Sequence, residues 1–338
     1  MKACVYADLE KVEVVDIDLP SAGPDEVLIK VARAGICGTD LHIFMGHMDQ
    51  RVTKPLVMGH EMCGEIVEAP DGADYQVGER VVVEPTVFCG MCAACRRGNT
   101  HVCQNLNFLG IDSAGAFQEL WNAPVDRLHR IPRELSDNAA AMIEPLAVAV
   151  HDVRRAQVEL GDQAVVIGGG PIGLLVAQAA RLDGAEVIIS EVNPYRLNVA
   201  ESCGFRTVDP TKDDLAEAVM SWTNGAGCDL VFEVSGSVPG AKVMTDLLRV
   251  RGKVALVGVH ASPPEVDLHR FFWRELELVG CRVYESVDFE RAIRIASAGE
   301  VDLESLVSKV VSYEEAYWGF EQMRDGGDIV KVLIDCQS

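Results

Sequence analysis

Two patterns of apolar and polar positions divide the chain. Over the first 150 residues the apolar side chains come in short, alternating runs at 3–6, 12–15, 26–31, 64–68 and 80–83, broken by turn residues. Short strands with frequent turns predict an antiparallel, β-rich barrel. Beyond about residue 151 strand-like and helical stretches alternate. Strands are expected at 163–167, 186–190, 229–233, 253–257 and 276–279, with helices at 174–181, 197–203, 215–223 and 241–248. Such alternation predicts a parallel sheet covered by helices on both faces, in a domain over 151–284. The remaining 285–338 reads as helices at 289–297 and 313–323 and a last strand at 330–334, expected to return to the first domain, 1–150, and make it discontinuous. The fold class expected is therefore α/β.

A glycine turn lies at one strand-to-helix junction. Gly168-Gly169-Gly170-Pro171-Ile172-Gly173 follows the run 163–167 and precedes the helix 174–181, the setting that a dinucleotide-binding turn requires. Gly168 permits the tight turn, Gly170 lets the backbone approach a pyrophosphate, and Gly173 allows the helix to pack on the strand, with its N-terminus facing the phosphates. Glu191 ends the next strand, eighteen residues beyond Gly173. An acid there accepts hydrogen bonds from both ribose hydroxyls of NAD and repels the 2′-phosphate of NADP. Ser190 and Arg196 flank it and soften that preference.

Length and composition narrow the class further. At 338 residues the chain exceeds the usual size of a single core, which agrees with two domains. The hydrophobic fraction of 49% suits a well-buried protein, and no apolar run is long enough to cross a bilayer. The first eight residues carry Asp8 and lack the basic flank and apolar core of a signal peptide, so a cytoplasmic location is expected. The net charge of −22 is spread along the chain, which argues against nucleic acid as a partner, since phosphate contacts need clustered Lys and Arg. An acid excess of this size is also compatible with a high-salt habitat.

Cys89, Cys92, Cys95 and Cys103 can close one tetrahedral metal site, with no position left for substrate. Structural zinc is the expectation; disulfides and unrelated buried thiols are the alternatives. Cys4, Cys63, Cys203, Cys228, Cys281 and Cys336 read as buried free thiols. A second, incomplete set stands in Cys37-Gly-Thr39-Asp40-Leu-His42 and Gly59-His60-Glu61, where a thiolate and an imidazole suit zinc but need a third ligand. Glu144, ahead of the helix that leads into the second domain, is the best candidate.

Taken together, the motifs resemble those of the zinc-dependent medium-chain dehydrogenases, the superfamily of alcohol, sorbitol and threonine dehydrogenases. The likeness covers nearly the whole chain and stands in Gly35 to His42, Gly59-His60-Glu61, the four-cysteine lobe, Glu144-Pro145 and Gly168 to Gly173. It implies a discontinuous GroES-like β-rich catalytic domain and a Rossmann domain, two zinc ions per chain, NAD, and a homo-oligomer, dimer or tetramer. Catalytic zinc is implied on Cys37 and His60, with Glu144 as third ligand directly or through water, and with Glu61 exchanging at the metal. Asp40 is implied to orient His60, and Thr39 and His42 to relay the proton from the alcohol toward solvent. In that mechanism zinc acidifies the substrate hydroxyl and hydride passes to the nicotinamide. Backbone groups of Val257, Gly258 and Val259 are expected to meet the nicotinamide amide, Arg196 to lie near the adenine-side acid, and Cys281 and Arg282 near the nicotinamide.

The substrate is the least determined part. A third ligand drawn from glutamate fits the polyol branch, and His47, Arg51, Lys54 and Arg282 could attract a sugar acid such as a hexonate, or be solvated surface charge. L-threonine is the alternative, because Thr39 to Phe44 resembles the threonine branch while Gly280 to Ser286 departs from it. A non-catalytic nucleotide-binding relative is the remaining reading, and the presence of Cys37, His60 and Glu144 speaks against it.

Overall fold

The strand Glu26–Gly35 organises the β-rich part of the chain, because it is long, its residues Val27, Leu28, Ile29, Val31 and Ala34 are buried, and it pairs with three others. The computed structural model describes residues 1–19 and 22–338, and they form two units. The first comprises Met1–Glu144, Glu285–Gly299 and Leu303–Ser338. Its main sheet has seven strands, in the order Leu128–Arg130, Arg80–Val83, Glu61–Glu68, Glu26–Gly35, Lys331–Asp335 and Val307–Val311, with Leu120–Pro124 also paired to Glu26–Gly35. All these pairings are antiparallel except that of Val307–Val311 with Lys331–Asp335. The last strand thus does return to the β-rich unit, with Leu333 opposite Gly35 and Ile334 opposite Ala34. A smaller sheet joins Lys2–Asp8, Lys11–Asp16 and Leu56–Val57.

The second unit comprises Pro145–Tyr284 and Glu300–Asp302. Its six strands run in the order Arg206–Val208, Glu186–Ser190, Gln163–Ile167, Cys228–Glu233, Leu248–Leu256 and Glu277–Gly280, and every pair is parallel. Numbered in chain order this is 3-2-1-4-5-6, the doubly wound dinucleotide-binding arrangement, whose strand order reverses between Gln163–Ile167 and Cys228–Glu233. Val165, Ile167, Ile188, Val219, Val231, Leu248 and Val254 fill the core below one face.

One expected element is corrected. The helix expected at 241–248 is a short one, Val238–Val243, started by a Ser237 side-chain cap and Pro239, and Leu248 already belongs to a strand, in register with Cys228. Sheet pairing outcompetes the apolar spacing there. Among the expected buried thiols, Cys203 and Cys281 are half-exposed, whereas Cys4, Cys63, Cys228 and Cys336 are buried.

Candidate active site

The helix Gly38–Phe44 begins where the strand Glu26–Gly35 ends, so its N-cap, Cys37, is set at the edge of the main sheet. A reciprocal capping box fixes this start: the Cys37 side chain accepts from the Asp40 N–H, and the Asp40 carboxylate accepts from the Cys37 N–H at 2.8 Å. Asp40 is wholly buried, and its other oxygen faces Nδ1 of buried His60 at 3.7 Å. Neither of those two atoms has a hydrogen-bond partner among the described residues. Glu61 opens the neighbouring strand Glu61–Glu68, directly opposite Gly35. Donor atoms of Cys37, His60 and Glu61 all lie within 4.8 Å of one another.

Glu144 lies outside that cluster but close to it. It is buried in the first turn of the helix Ile143–Ala156 rather than ahead of it, and its charge is felt at His60. Burial opposes protonation of His60, but Asp40, Cys37 and Glu144 outweigh it and hold the imidazole well above its ordinary range. Burial also pushes the Cys37 thiol and the Asp40 carboxyl upward. The buried thiol, imidazole and carboxylate offer mixed sulfur, nitrogen and oxygen donors, a set that fits zinc.

Lys331 was not anticipated. It lies in the last strand, almost fully buried, and forms an ion pair with Glu61. Burial alone would lower it, but Glu61 and Cys37 hold it above the ordinary lysine value. The one signal in the sequence was a cation inside the apolar run Val330-Lys331-Val332-Leu333-Ile334. On the helix Gly38–Phe44, Thr39 and His42 are both half-buried and, three residues apart, share a face. His42 meets His47 with their Nδ1 atoms 3.1 Å apart, and burial followed by the His47 charge lowers the His42 pKa.

Two of the expected cations are already neutralised. Arg51 grips Asp112 through Nε and Nη2 at 2.7 and 2.6 Å. Lys54 bonds Asp8 and Asp49, each at 2.8 Å, above the Tyr6 ring. Arg282 is exposed and in no ion pair among the described residues.

The four-cysteine lobe converges. The donor atoms of Cys89, Cys92, Cys95 and Cys103 lie within 4.8 Å of one another, with sulfur–sulfur distances of 3.5 Å for Cys92–Cys95 and Cys89–Cys103 and 3.9 Å for Cys92–Cys103. Tetrahedral zinc with Zn–S of about 2.3 Å places sulfurs about 3.8 Å apart, whereas a disulfide needs about 2.05 Å. Backbone N–H groups of Cys89, Cys92, Cys95 and Asn105 point at these sulfurs, and the Cys95 N–H leads in pushing Cys92 down to about 6. The donor set fits a structural zinc.

The glycine turn lies at the carboxyl end of the first strand of the parallel sheet. Gly168 has φ of 104°, and a Cβ on Gly173 would meet the Gly168 carbonyl oxygen at 1.8 Å, so the helix Pro171–Leu182 packs as closely as the fingerprint requires. Gly170 caps that helix and Pro171 stands in its first turn, followed by Ile172. Buried Glu191 is fixed by three backbone donors, Gly169 N–H at 2.7 Å, Val192 N–H at 2.7 Å and Asn193 N–H at 2.8 Å. Arg196 reaches the same turn, its Nη1 3.9 Å from where a Gly170 Cβ would stand. At the far strand ends, the N–H groups of Val257 and Gly258 both donate to the Glu233 carbonyl, at 2.9 and 2.8 Å, while Val259 is exposed.

Residues 23–133 match the alcohol dehydrogenase GroES-like domain, and 171–298 match the zinc-binding dehydrogenase family. The chain is 44% identical to a 2-dehydro-3-deoxy-L-galactonate 5-dehydrogenase of Pseudoalteromonas atlantica, over 94% of this chain and 93% of that one. It is 36% identical to a sorbitol dehydrogenase of Halalkalibacterium halodurans, over 93% of each chain. A crystal structure from Sinorhizobium meliloti 1021, described as a zinc-binding dehydrogenase bound to NADP, matches with a TM-score of 0.93 at 33% identity, over 99% of this chain and 98% of that one.

Proposed function

The chain belongs to the zinc-dependent medium-chain dehydrogenase family, and on that premise we propose that it oxidises a secondary alcohol of a polyol or sugar acid, hexonates included, with NAD as acceptor. The observation that carries the reading is the convergence of Cys37, His60 and Glu61 within 4.8 Å, with Glu144 adjacent. When bound, zinc supplies a Lewis acid that acidifies the substrate hydroxyl, and NAD supplies the hydride acceptor. Cys37 and His60 are the fixed metal ligands in this reading, and the carboxylates of Glu144 and Glu61 compete for the remaining protein position. Lys331 holds Glu61 back by its ion pair. Asp40 orients His60 while capping the helix that carries Cys37. Thr39 accepts the hydroxyl proton and His42, kept neutral by burial, takes it on toward His47 and solvent. The cysteine lobe clamps its own segment and takes no part in the chemistry.

On the cofactor side, Gly168, Gly170 and Gly173 with the helix N-terminus receive the pyrophosphate, and Glu191 receives the adenosine ribose. Its three backbone bonds leave lone pairs for the ribose hydroxyls. The NADP belongs to the Sinorhizobium protein; here the acid at 191 supports NAD as the preferred acceptor. A sugar acid as substrate draws support from the 2-dehydro-3-deoxy-L-galactonate 5-dehydrogenase relative, and a polyol from the sorbitol dehydrogenase. Arg51 and Lys54 are spent on Asp112, Asp8 and Asp49, so neither is assigned to a substrate carboxylate.

No helix among the described residues is long and apolar enough to cross a membrane. Eleven free cysteines support a reducing, cytoplasmic setting. Exposed Leu268, Phe272 and Trp273, on the helix that leads into the edge strand Glu277–Gly280, support a homo-oligomer. The reading is tested by a panel of polyols, aldoses, hexonates, 2-keto-3-deoxy sugar acids, ethanol and L-threonine with NAD at mildly alkaline pH. Turnover is expected on a polyol or sugar acid. Turnover confined to ethanol, or to L-threonine, contradicts it.

A further inference from the structure

The strand Cys228–Glu233 ends on a carboxylate that is wholly buried, at the carboxyl edge of the parallel sheet. A charge there is tolerated only if it is surrounded by donors. Glu233 Oε1 accepts from the Ser235 N–H at 3.1 Å and the Ser235 hydroxyl at 2.5 Å, and Oε2 accepts from the Gly236 N–H at 3.3 Å. His260 Nε2 also stands 3.1 Å from Oε2, in an ion-pair contact not aligned as a hydrogen bond. The His260 side chain is only 9% exposed, yet neither ring nitrogen makes a hydrogen bond among the described residues. With Nε2 turned to Glu233, Nδ1 of this nine-tenths buried imidazole is left without a partner among the described residues, and a ligand can supply one.

Its location says which ligand. The loops after three strands touch here: a Cβ on Gly168 would stand 3.0 Å from the Ser235 nitrogen, one on Gly258 would stand 2.4 Å from the Gly236 nitrogen, and one on Gly236 would stand 2.5 Å from the Val259 oxygen. They flank the point where the strand order reverses, the crevice in which a dinucleotide lies. Glu191, after the second strand, takes the adenosine end, and the glycine turn takes the pyrophosphate. The loops after Cys228–Glu233 and Leu248–Leu256 are therefore left for the nicotinamide end.

We propose that His260, seated by Glu233, positions the nicotinamide half of the cofactor by a hydrogen bond from its imidazole to the nicotinamide riboside. The inference rests on the dinucleotide reading given above. The test is titration of the intact protein with NADH and, separately, with ADP-ribose, which lacks the nicotinamide. His260→Ala should weaken NADH about tenfold, the loss of one hydrogen bond, and leave ADP-ribose unchanged. His260→Asn, which retains a donor and an acceptor, should recover most of the NADH affinity. Unchanged NADH affinity in His260→Ala overturns the proposal, as does equal weakening of both ligands, the signature of a purely structural role. A wild-type protein that binds neither ligand overturns the dinucleotide reading itself, and that outcome is distinct from the other two.

Discussion

Asp40 and Glu191 show how single carboxylates are made specific by the donors around them. Asp40 spends one oxygen on the Cys37 N–H and turns the other to His60, so one buried acid caps the start of a helix and faces the imidazole proposed as a metal ligand. Glu191 is held by the N–H groups of Gly169, Val192 and Asn193, which keeps its charge stationary at the position we propose for the adenosine ribose. A fixed negative charge discriminates against a phosphate by Coulomb repulsion and by the hydrogen bonds that a phosphate cannot offer. The wild type is therefore expected to favour NAD over NADP in kcat/KM, and Glu191→Ala to shrink that ratio by tenfold or so. A wild type that prefers NADP would mean that Ser190 and Arg196 govern the pocket instead. Lys331 marks the limit of what residue types alone disclose. A lysine among Val330, Val332, Leu333 and Ile334 is conspicuous, but nothing local says that it meets Glu61, which lies 270 positions earlier in the chain.

At the level of elements, the legible features were those whose partners are close in sequence. The glycine turn is read from six consecutive residues, and the cysteine lobe from fifteen, because the geometry of a turn or a metal clamp is local. The parallel sheet was legible from alternation, and the return of the last strand from its apolar run. The helix expected at 241–248 failed because Leu248 is claimed by pairing with Cys228, a contact no local window contains. Glu84 is another long-range tie. It follows the strand Arg80–Val83 and gathers Thr86 at 2.9 Å, Ser286 at the start of the helix Ser286–Ala298 at 3.0 Å, and His129 of the strand Leu128–Arg130 at 3.2 Å. Burial would raise its pKa, but His129, Thr86, Arg127 and Ser286 together bring it below the ordinary 4.5. A depressed carboxyl contributes stability that is present above the unfolded pKa and lost as pH falls through the folded one. Glu84→Gln is accordingly expected to cost about 1–3 kcal/mol at neutral pH, read from denaturant midpoints. The gap between variant and wild type should close as pH falls below 4.5. A gap that stays constant into acid would show that Glu84 acts by packing alone.

Across the whole molecule, one unit gathers every donor assigned to metal and the other carries the glycine turn and Glu191. The β-rich unit holds two sulfur-containing sites of opposite character. In one, four cysteines leave no open position; in the other, a single thiol shares a buried space with imidazole and carboxylates. An open site serves chemistry and a closed one serves folding. The decisive measurement is NADH formation on the best substrate of the panel by the wild type and by Cys37→Ala, with zinc counted in both. The wild type should turn over and carry about two zinc ions per chain, while Cys37→Ala should stay folded, bind NADH, keep about one zinc and lose turnover. Cys95→Ala, as the contrast, should lose stability first. A Cys37→Ala protein that still forms NADH at the wild-type rate would contradict the assignment of the chemistry to Cys37 and His60.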